Sequence, residues 1–311
     1  MQSFKVLSVN ISEKKGTVKK PVDKIELGEE GVKGDAHSGK WNRMVSLLGT
    51  ESFEKFSKEA GRKIAFGEFA ENITTQGIKL YETLPLDRFV GEQVELEVTQ
   101  IGKKCHGSNC QIFQEVGNCV MPKEGIFARV LKNGDLKEGD SFKYVQKVIR
   151  VGVITLSDRA YQGLYKDTSG MEIQKLLSGF FEEKKRPVVY HYELIPDDAA
   201  LLKNTLLQMV DEKCDIIVTT GGTGIGPKDL TPDIVTPLLD KEIPGIMDLI
   251  RLKYGEIHPA ALTSRSVAGV INQSLVYCLP GSPRAVKEYL TEIQKTLMHS
   301  IYMIHSLDLH G

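Results

Sequence analysis

The 311-residue chain has a single tryptophan, only five cysteines, and no stretch of about 18 consecutive apolar residues. The last absence removes a helical membrane span from consideration. Its amino end, Met1-Gln2-Ser3-Phe4-Lys5-Val6, lacks the charged-then-apolar pattern of a secretory signal, so a cytoplasmic protein is the expectation. Nor is there an excess of charge: 40 Lys plus Arg face 41 Asp plus Glu, a net charge of −1. Nothing in that balance draws the chain to nucleic acid or to an anionic membrane, and any anion must be recognised locally. An odd number of cysteines does not make a paired disulfide framework. Cys214 and Cys278 lie in apolar, strand-like runs where a thiol acts as a small hydrophobe. That leaves Cys105, Cys110 and Cys119 for chemistry. What the chain does have is 41% hydrophobic and 26% charged residues, the balance of a soluble globular protein, and length enough for two cores.

The densest signal is Thr219-Thr220-Gly221-Gly222-Thr223-Gly224-Ile225-Gly226-Pro227-Lys228-Asp229-Leu230-Thr231-Pro232-Asp233, which follows an apolar run directly. Glycine lets the backbone turn through positive φ and bring its amides close to an anion, so such a loop suits phosphate. Carboxylates repel phosphate. Asp229 and Asp233 make sense there with a divalent cation such as Mg²⁺, which takes oxygen ligands and bridges phosphate groups. Two nucleotide motifs fail on the stretch. Gly221 and Gly226 have the spacing of a P-loop, but Pro227 and Lys228 stand where Lys and then Ser or Thr are required. Gly222-Thr223-Gly224-Ile225-Gly226 is one residue too short for the dinucleotide fingerprint. An ordinary strand-to-helix turn is the plain alternative.

From about residue 150 the chain alternates strand and helix. Residues 149–156, 188–195, 214–220 and 275–279 are β-branched or apolar runs of strand length. Ser169-Gly170-Met171-Glu172 reads as a capping box ahead of Ile173, Leu176, Leu177, Phe180 and Phe181 at helical spacing. Asp197-Asp198 supplies N-cap candidates for a helix with Leu202, Leu206, Met209 and Val210 on one face. The pattern predicts a mainly parallel sheet, and in such sheets ligands bind beyond the carboxyl ends of the strands. There the sequence places Ser157-Asp158-Arg159, Pro196-Asp197-Asp198, the loop from Gly221 to Asp233, and Pro280-Gly281-Ser282-Pro283. Gly281 and Ser282 stand where helix N-terminal amides favour anions.

These residues carry a resemblance. Thr155 to Arg159, Ile195 to Asp198, Thr219 to Gly224 with Lys228 to Asp233, and Leu279 to Pro283 together resemble the molybdopterin adenylyltransferases, the MogA, MoaB and gephyrin G-domain type, over about residues 148–311. The resemblance implies a three-layer α/β/α sandwich, commonly a homotrimer, that transfers AMP from Mg-ATP to the terminal phosphate of molybdopterin and releases pyrophosphate. It implies metal binding and catalysis for Asp197 and Asp229. Gly221, Gly222, Thr223, Gly224, Pro280, Gly281 and Ser282 then line the ligand pocket, with Ser157, Asp158 and Asp233 as further ligand contacts. Adenylyl transfer asks mostly for positioning and neutralisation of charge, which amides and a cation supply.

The amino half has a different texture: short β-rich runs at 6–12 and 93–100, many glycines, and one amphipathic helix expected over about 45–59. A β-rich, barrel-like domain follows. Gly31 to His37, Gly67-Glu68 with Glu71 to Gly77, Gly91-Glu92, and Lys104-Cys105-His106 resemble a MOSC domain over about residues 1–145. The resemblance implies sulfur handling or binding of the finished molybdenum cofactor at Cys105, beside His106. Thiolate is soft and suits molybdenum or persulfide, and adjacent cations would lower its pKa. A zinc site is a second reading, but Cys105, Cys110 and His106 give three ligands where a structural zinc takes four, with Cys119 the obvious supplement. A Cys105–Cys110 redox pair and an inert Cys110 stay open. Arg129 is a contact for a cofactor phosphate or a barrel-edge side chain; His37 is a loop hydrogen-bonder beside Asp35.

The whole therefore reads as a fusion, residues 1–146 a MOSC domain and 147–311 a molybdopterin adenylyltransferase. Implied partners are molybdopterin and ATP, then a molybdenum-insertion protein and molybdoenzymes, with no nucleic acid and no membrane. The competing reading is a carrier or chaperone of the cofactor in which neither domain catalyses.

Overall fold

The computed structural model describes residues 2–103 and 120–307. Cys105, His106, Cys110 and Cys119 lie outside the described residues. The chain divides into two units, one comprising the residues up to Lys147 together with Leu307 and the other spanning Val148–Ser306.

The first unit is built from strands β1 (Ser3–Ile11), β2 (Lys20–Val22), β3 (Lys24–Gly28), β4 (Gly31–Val32), β5 (Val45–Gly49), β6 (Ile73–Gln76), β7 (Arg88–Val90), β8 (Glu95–Ile101), β9 (Ile126–Lys132), β10 (Gly134–Lys137) and β11 (Ser141–Val145). Seven close into a barrel in the order β11-β7-β8-β9-β5-β6-β1, with β1 pairing back onto β11, so these seven leave no open sheet edge. β5 and β6 run parallel and the other barrel pairs antiparallel. Alternation fixes which side chains point in. On β1, Phe4, Val6 and Val9 are buried while Ser3 and Lys5 face solvent, and Phe4 packs edge-on against Phe89 with ring centroids 5.1 Å apart.

The first third of the helix expected over 45–59 is strand: β5 occupies 45–49, and the helix itself is Thr50–Ala60, stopped by Gly61 at φ 66°. All five residues of β5 are buried, so no alternation betrays it and its apolar run reads as the start of the helix behind it.

The barrel also holds buried charge. Lys19 Nζ lies 2.5 Å from Asp35 Oδ2, with the two side chains 1% and 2% exposed. Asp35 accepts further hydrogen bonds from the backbone N–H groups of Ser12 and His37. Glu71, fully buried, takes the Gly67 N–H and the Thr74 hydroxyl on one oxygen. Burial pushes its carboxyl up to about 7. Asn10 and Asn72 complete the cluster by tying β1 to the 71–74 segment.

The second unit contains β12 (Ile149–Leu156), β13 (Val188–Ile195), β14 (Ile216–Thr220), β15 (Lys241–Glu242), β16 (Val267–Ile271) and β17 (Ser274–Leu279), ordered β13-β12-β14-β17-β16-β15. The first four are parallel, as their apolar runs predict. β16 and β15 add an antiparallel edge that the sequence reading omitted, because Val267-Ala268-Gly269-Val270-Ile271 is short and broken by glycine. One helical layer comprises Ser169–Glu183, Pro244–Gly255 and Pro283–Ile304; Ala199–Asp211 and Thr231–Val235 form the other, giving an α/β/α sandwich. Asp198 caps its helix as expected, accepting the Leu201 N–H. The capping box at Ser169 is not formed: Asp167 accepts the N–H groups of Ser169 and Gly170, and the Ser169 hydroxyl bonds instead to the Gly281 carbonyl. A carboxylate two residues upstream offers a better acceptor at a helix N-terminus than the hydroxyl does.

Candidate active site

β14 is buried along its whole length and ends at Thr220, where the chain turns through Gly221 at φ 107° and Gly222 at φ 63°. A side chain resists both conformations. There is no room for one either, since a Cβ on Gly221 would strike the Leu156 carbonyl and one on Gly222 would lie 2.6 Å from Thr231 Oγ1. The turn is tied to its surroundings: Gly221 N–H donates to the Leu279 carbonyl at 3.0 Å, the Thr231 hydroxyl to the Gly221 carbonyl at 2.8 Å, and the Thr220 hydroxyl to the Pro280 carbonyl at 2.9 Å. Beyond it Asp229 folds back over the loop and accepts the Gly226 N–H on Oδ2 at 2.8 Å. A Cβ on Gly224 would lie 2.7 Å from that same oxygen. The space a side chain would need at residue 224 is taken by the Asp229 carboxylate.

This loop walls a cleft of ≈ 510 Å³. Opposite stand Pro280, Gly281 and Ser282 with Arg284 and Tyr289 from the last helix, then His258 and the 3₁₀ turn Pro259–Thr263. The Ser282 hydroxyl is committed as N-cap, accepting from Ala285 N–H. Tyr289 OH and His258 Nε2 are buried and have no hydrogen-bond partner. The volume suits one nucleotide-sized or pterin-sized ligand.

Of the residues singled out from the sequence, Gly221, Gly222, Thr223, Gly224, Asp229, Pro280, Gly281 and Ser282 line the cleft together. Four others do not. Asp158 and Asp197 exchange hydrogen bonds, Asp158 N–H to Asp197 Oδ2 at 3.2 Å and Asp197 N–H to Asp158 Oδ1 at 3.0 Å, which clips two strand-end loops together. Lys228 Nζ reaches across to Asp158 Oδ2 at 2.6 Å. That hydrogen bond holds the Asp158 carboxyl below the usual range and raises the Lys228 ammonium above it. Ser157 caps a short helix through Ala160 N–H and meets the Tyr165 hydroxyl at 2.8 Å. Asp233 pairs with Arg265 at 2.7 Å.

Residues 152–299 match the family described as a probable molybdopterin binding domain, and residues 34–143 match the MOSC domain family. Over 159 residues the chain is 37% identical to the molybdopterin adenylyltransferase of Helicobacter pylori strain J99, covering 51% of this chain and 89% of that one. The chain belongs to the molybdopterin adenylyltransferase family. The Escherichia coli K12 molybdopterin adenylyltransferase is 33% identical over 159 residues, covering 50% of this chain and 80% of that one. A solved structure of the molybdopterin biosynthesis enzyme MoaB from Thermus thermophilus is 38% identical with a TM-score of 0.47, covering 51% of this chain and 97% of that one.

Several residues around this adenylyltransferase-family cleft escaped the sequence reading. Lys228 sits inside the glycine-rich stretch, yet nothing there tells that its partner lies 70 residues upstream. Asp167 gathers the Thr155 and Tyr192 hydroxyls at 2.8 Å each besides its two helix amides. Burial, and then Asp167 itself, push the Tyr192 phenol up to about 12. In the MOSC part, Arg129 forms an ion pair with Glu97 across β8 and β9 at 2.6 Å. His37 lies with Nδ1 3.5 Å from Asp35 Oδ1.

Proposed function

We propose that the Val148–Ser306 unit transfers an adenylyl group from Mg-ATP to the terminal phosphate of molybdopterin, releasing pyrophosphate, as a step of molybdenum cofactor biosynthesis. The observation that carries this reading is the cleft itself: a glycine turn held open by its own hydrogen bonds, with one carboxylate at its lip and a helix N-terminus facing it. The names of the H. pylori and E. coli relatives support the same substrate. The buried, unpartnered Tyr289 OH and His258 Nε2 are groups a polar heterocycle would satisfy.

No group of three or more His, Cys, Asp or Glu placed to hold a metal occurs among the described residues. Mg²⁺ arriving on nucleotide phosphates needs only one or two protein carboxylates, and Asp229 and Asp197 are the candidates to hold it. When bound it would neutralise charge on the phosphates. The chain's own groups do the rest. The amides of Gly222 to Gly224 orient the acceptor phosphate, the last helix's N-terminus attracts anionic oxygens, and Lys228 can leave Asp158 for a phosphate because an exposed pair is held weakly.

The test is incubation with Mg-ATP and molybdopterin, read as adenylylated pterin and pyrophosphate. Wild-type chain should give both, and Asp229→Asn should lower the rate by about 100-fold, the loss typical of removing one group that stabilises charge in the transition state. Molybdopterin bound without product would leave a carrier. For the MOSC part we propose cofactor or sulfur binding through Cys105, which Cys105→Ser should abolish. Assembly of the adenylyltransferase unit as a homotrimer belongs to the same reading, and sedimentation of the full chain checks it.

A further inference from the structure

We propose that Arg265 is a positioning residue for this adenylyl-transfer site, acting through the loop that carries Asp229. The inference rests on the reading just given. A loop with glycine at 221, 222, 224 and 226 has more conformational freedom to lose than any other segment near the cleft, so something must hold it. Its first half is held by Leu279, Pro280 and Thr231. The second half has the exposed Lys228–Asp158 pair and, from the lead into β16, a residue 36 positions beyond Asp229 that binds its main chain.

Arg265 binds the loop on both sides of residues 225–228. Its backbone N–H donates to the Thr223 carbonyl at 2.8 Å and its Nε to the Gly224 carbonyl at 2.8 Å. Nη2 donates to the Asp229 carbonyl, and Nη1 reaches Asp233 Oδ1 at 2.7 Å and Oδ2 at 3.0 Å. The two carbonyls matter most. Gly224 and Asp229 are the two sides of the gap in which the Asp229 carboxylate lies, and the guanidinium fixes both from behind. A planar fork with several donors in fixed directions can do this, whereas an ammonium on a flexible stem cannot hold three acceptors in that geometry. Asp233 then has a different task from Asp229: it anchors the cation that anchors the loop. That hydrogen bond holds the Asp233 carboxyl below its ordinary range. Arg265 is absent from the residues lining the cleft, so its effect on the reaction passes through Asp229.

Arg265→Ala, Arg265→Lys and Asp233→Asn in the full-length chain test this with two readouts. Amide hydrogen exchange without ligands should quicken by about tenfold or more across 222–231 in Arg265→Ala, with β12 and β14 unchanged. In turnover the same variant should lose about 100-fold in kcat, the cost of a small misplacement at a reacting centre, and require about tenfold more Mg²⁺ for half-maximal rate, with KM for molybdopterin held within about threefold. Lysine should not rescue either readout, and Asp233→Asn should fall between. Unchanged exchange in Arg265→Ala and Asp233→Asn overturns the proposal, as does quickened exchange with kcat and Mg²⁺ dependence intact. A wild-type chain that makes no adenylylated pterin overturns the functional reading instead, and exchange still reports on the loop.

Discussion

Two ion pairs, one in each unit, are held in opposite ways. In the barrel, Lys19 and Asp35 are 1% and 2% exposed and locked by neighbouring amides; beside the cleft, Lys228 and Asp158 are 76% and 32% exposed and touch at one point. Desolvation makes the first pair costly to separate, while water makes the second cheap to exchange. A buried ion pair of this kind specifies one arrangement of β1 and the loops on it. An exposed pair beside the glycine loop leaves its cation free to move to another anion.

Breaking the buried side should give the largest effect. Lys19→Met leaves Asp35 charged and unpaired among buried groups, and the first unit should lose about 3–5 kcal/mol. The single tryptophan, Trp41, lies in that unit with Arg43 4.9 Å from its ring, so its fluorescence in urea follows the barrel alone. A loss below about 1 kcal/mol would sink the contrast between the units.

Next comes Glu71, whose carboxyl titrates near 7 in the fold against 4.5 unperturbed. The folded state keeps a proton that the unfolded chain releases between those values, so this stabilisation is fully present below about pH 4.5 and is lost as pH rises through 7. Glu71→Gln is neutral throughout. It should match wild type near pH 4.5 and be more stable by roughly 3 kcal/mol at pH 8, at 1.36 kcal/mol per pH unit. Equal urea midpoints for the two proteins at pH 8 would contradict the assignment.

The smallest effect belongs to Lys228→Met. Its denaturation midpoint should stay where wild type has it, because exposed pairs add little. KM for ATP in adenylyl transfer should nevertheless rise severalfold. A change in stability without a change in KM would place this pair with the barrel's and erase the distinction.

Much of the second unit was legible because parallel strands buried on both faces write themselves as unbroken apolar runs. β12 begins and ends where its run does, whereas β13, at the sheet edge and buried only at Ile195, shows itself through β-branched and aromatic residues. The same property misled at β5, where a buried barrel strand runs straight into a helix. The glycine loop was readable as a site because glycine and carboxylate in one loop conflict unless a ligand reconciles them. Arg265 was not. Thr263-Ser264-Arg265 has no feature of its own, and its meaning comes from Thr223, Gly224, Asp229 and Asp233, brought near only by folding. The Lys19–Asp35 pair was hidden for the same reason, since no local pattern marks a lysine that will be buried.

Where the two central loops of the cleft approach, they do so backbone to backbone: a Cβ on Gly281 would lie 3.3 Å from the Cα of Gly221. At that point no side chain stands between the loops, and their separation there is set by main-chain geometry. Any redesign toward a bulkier or smaller heterocycle must work from the walls, at His258, Arg284, Glu288 and Tyr289.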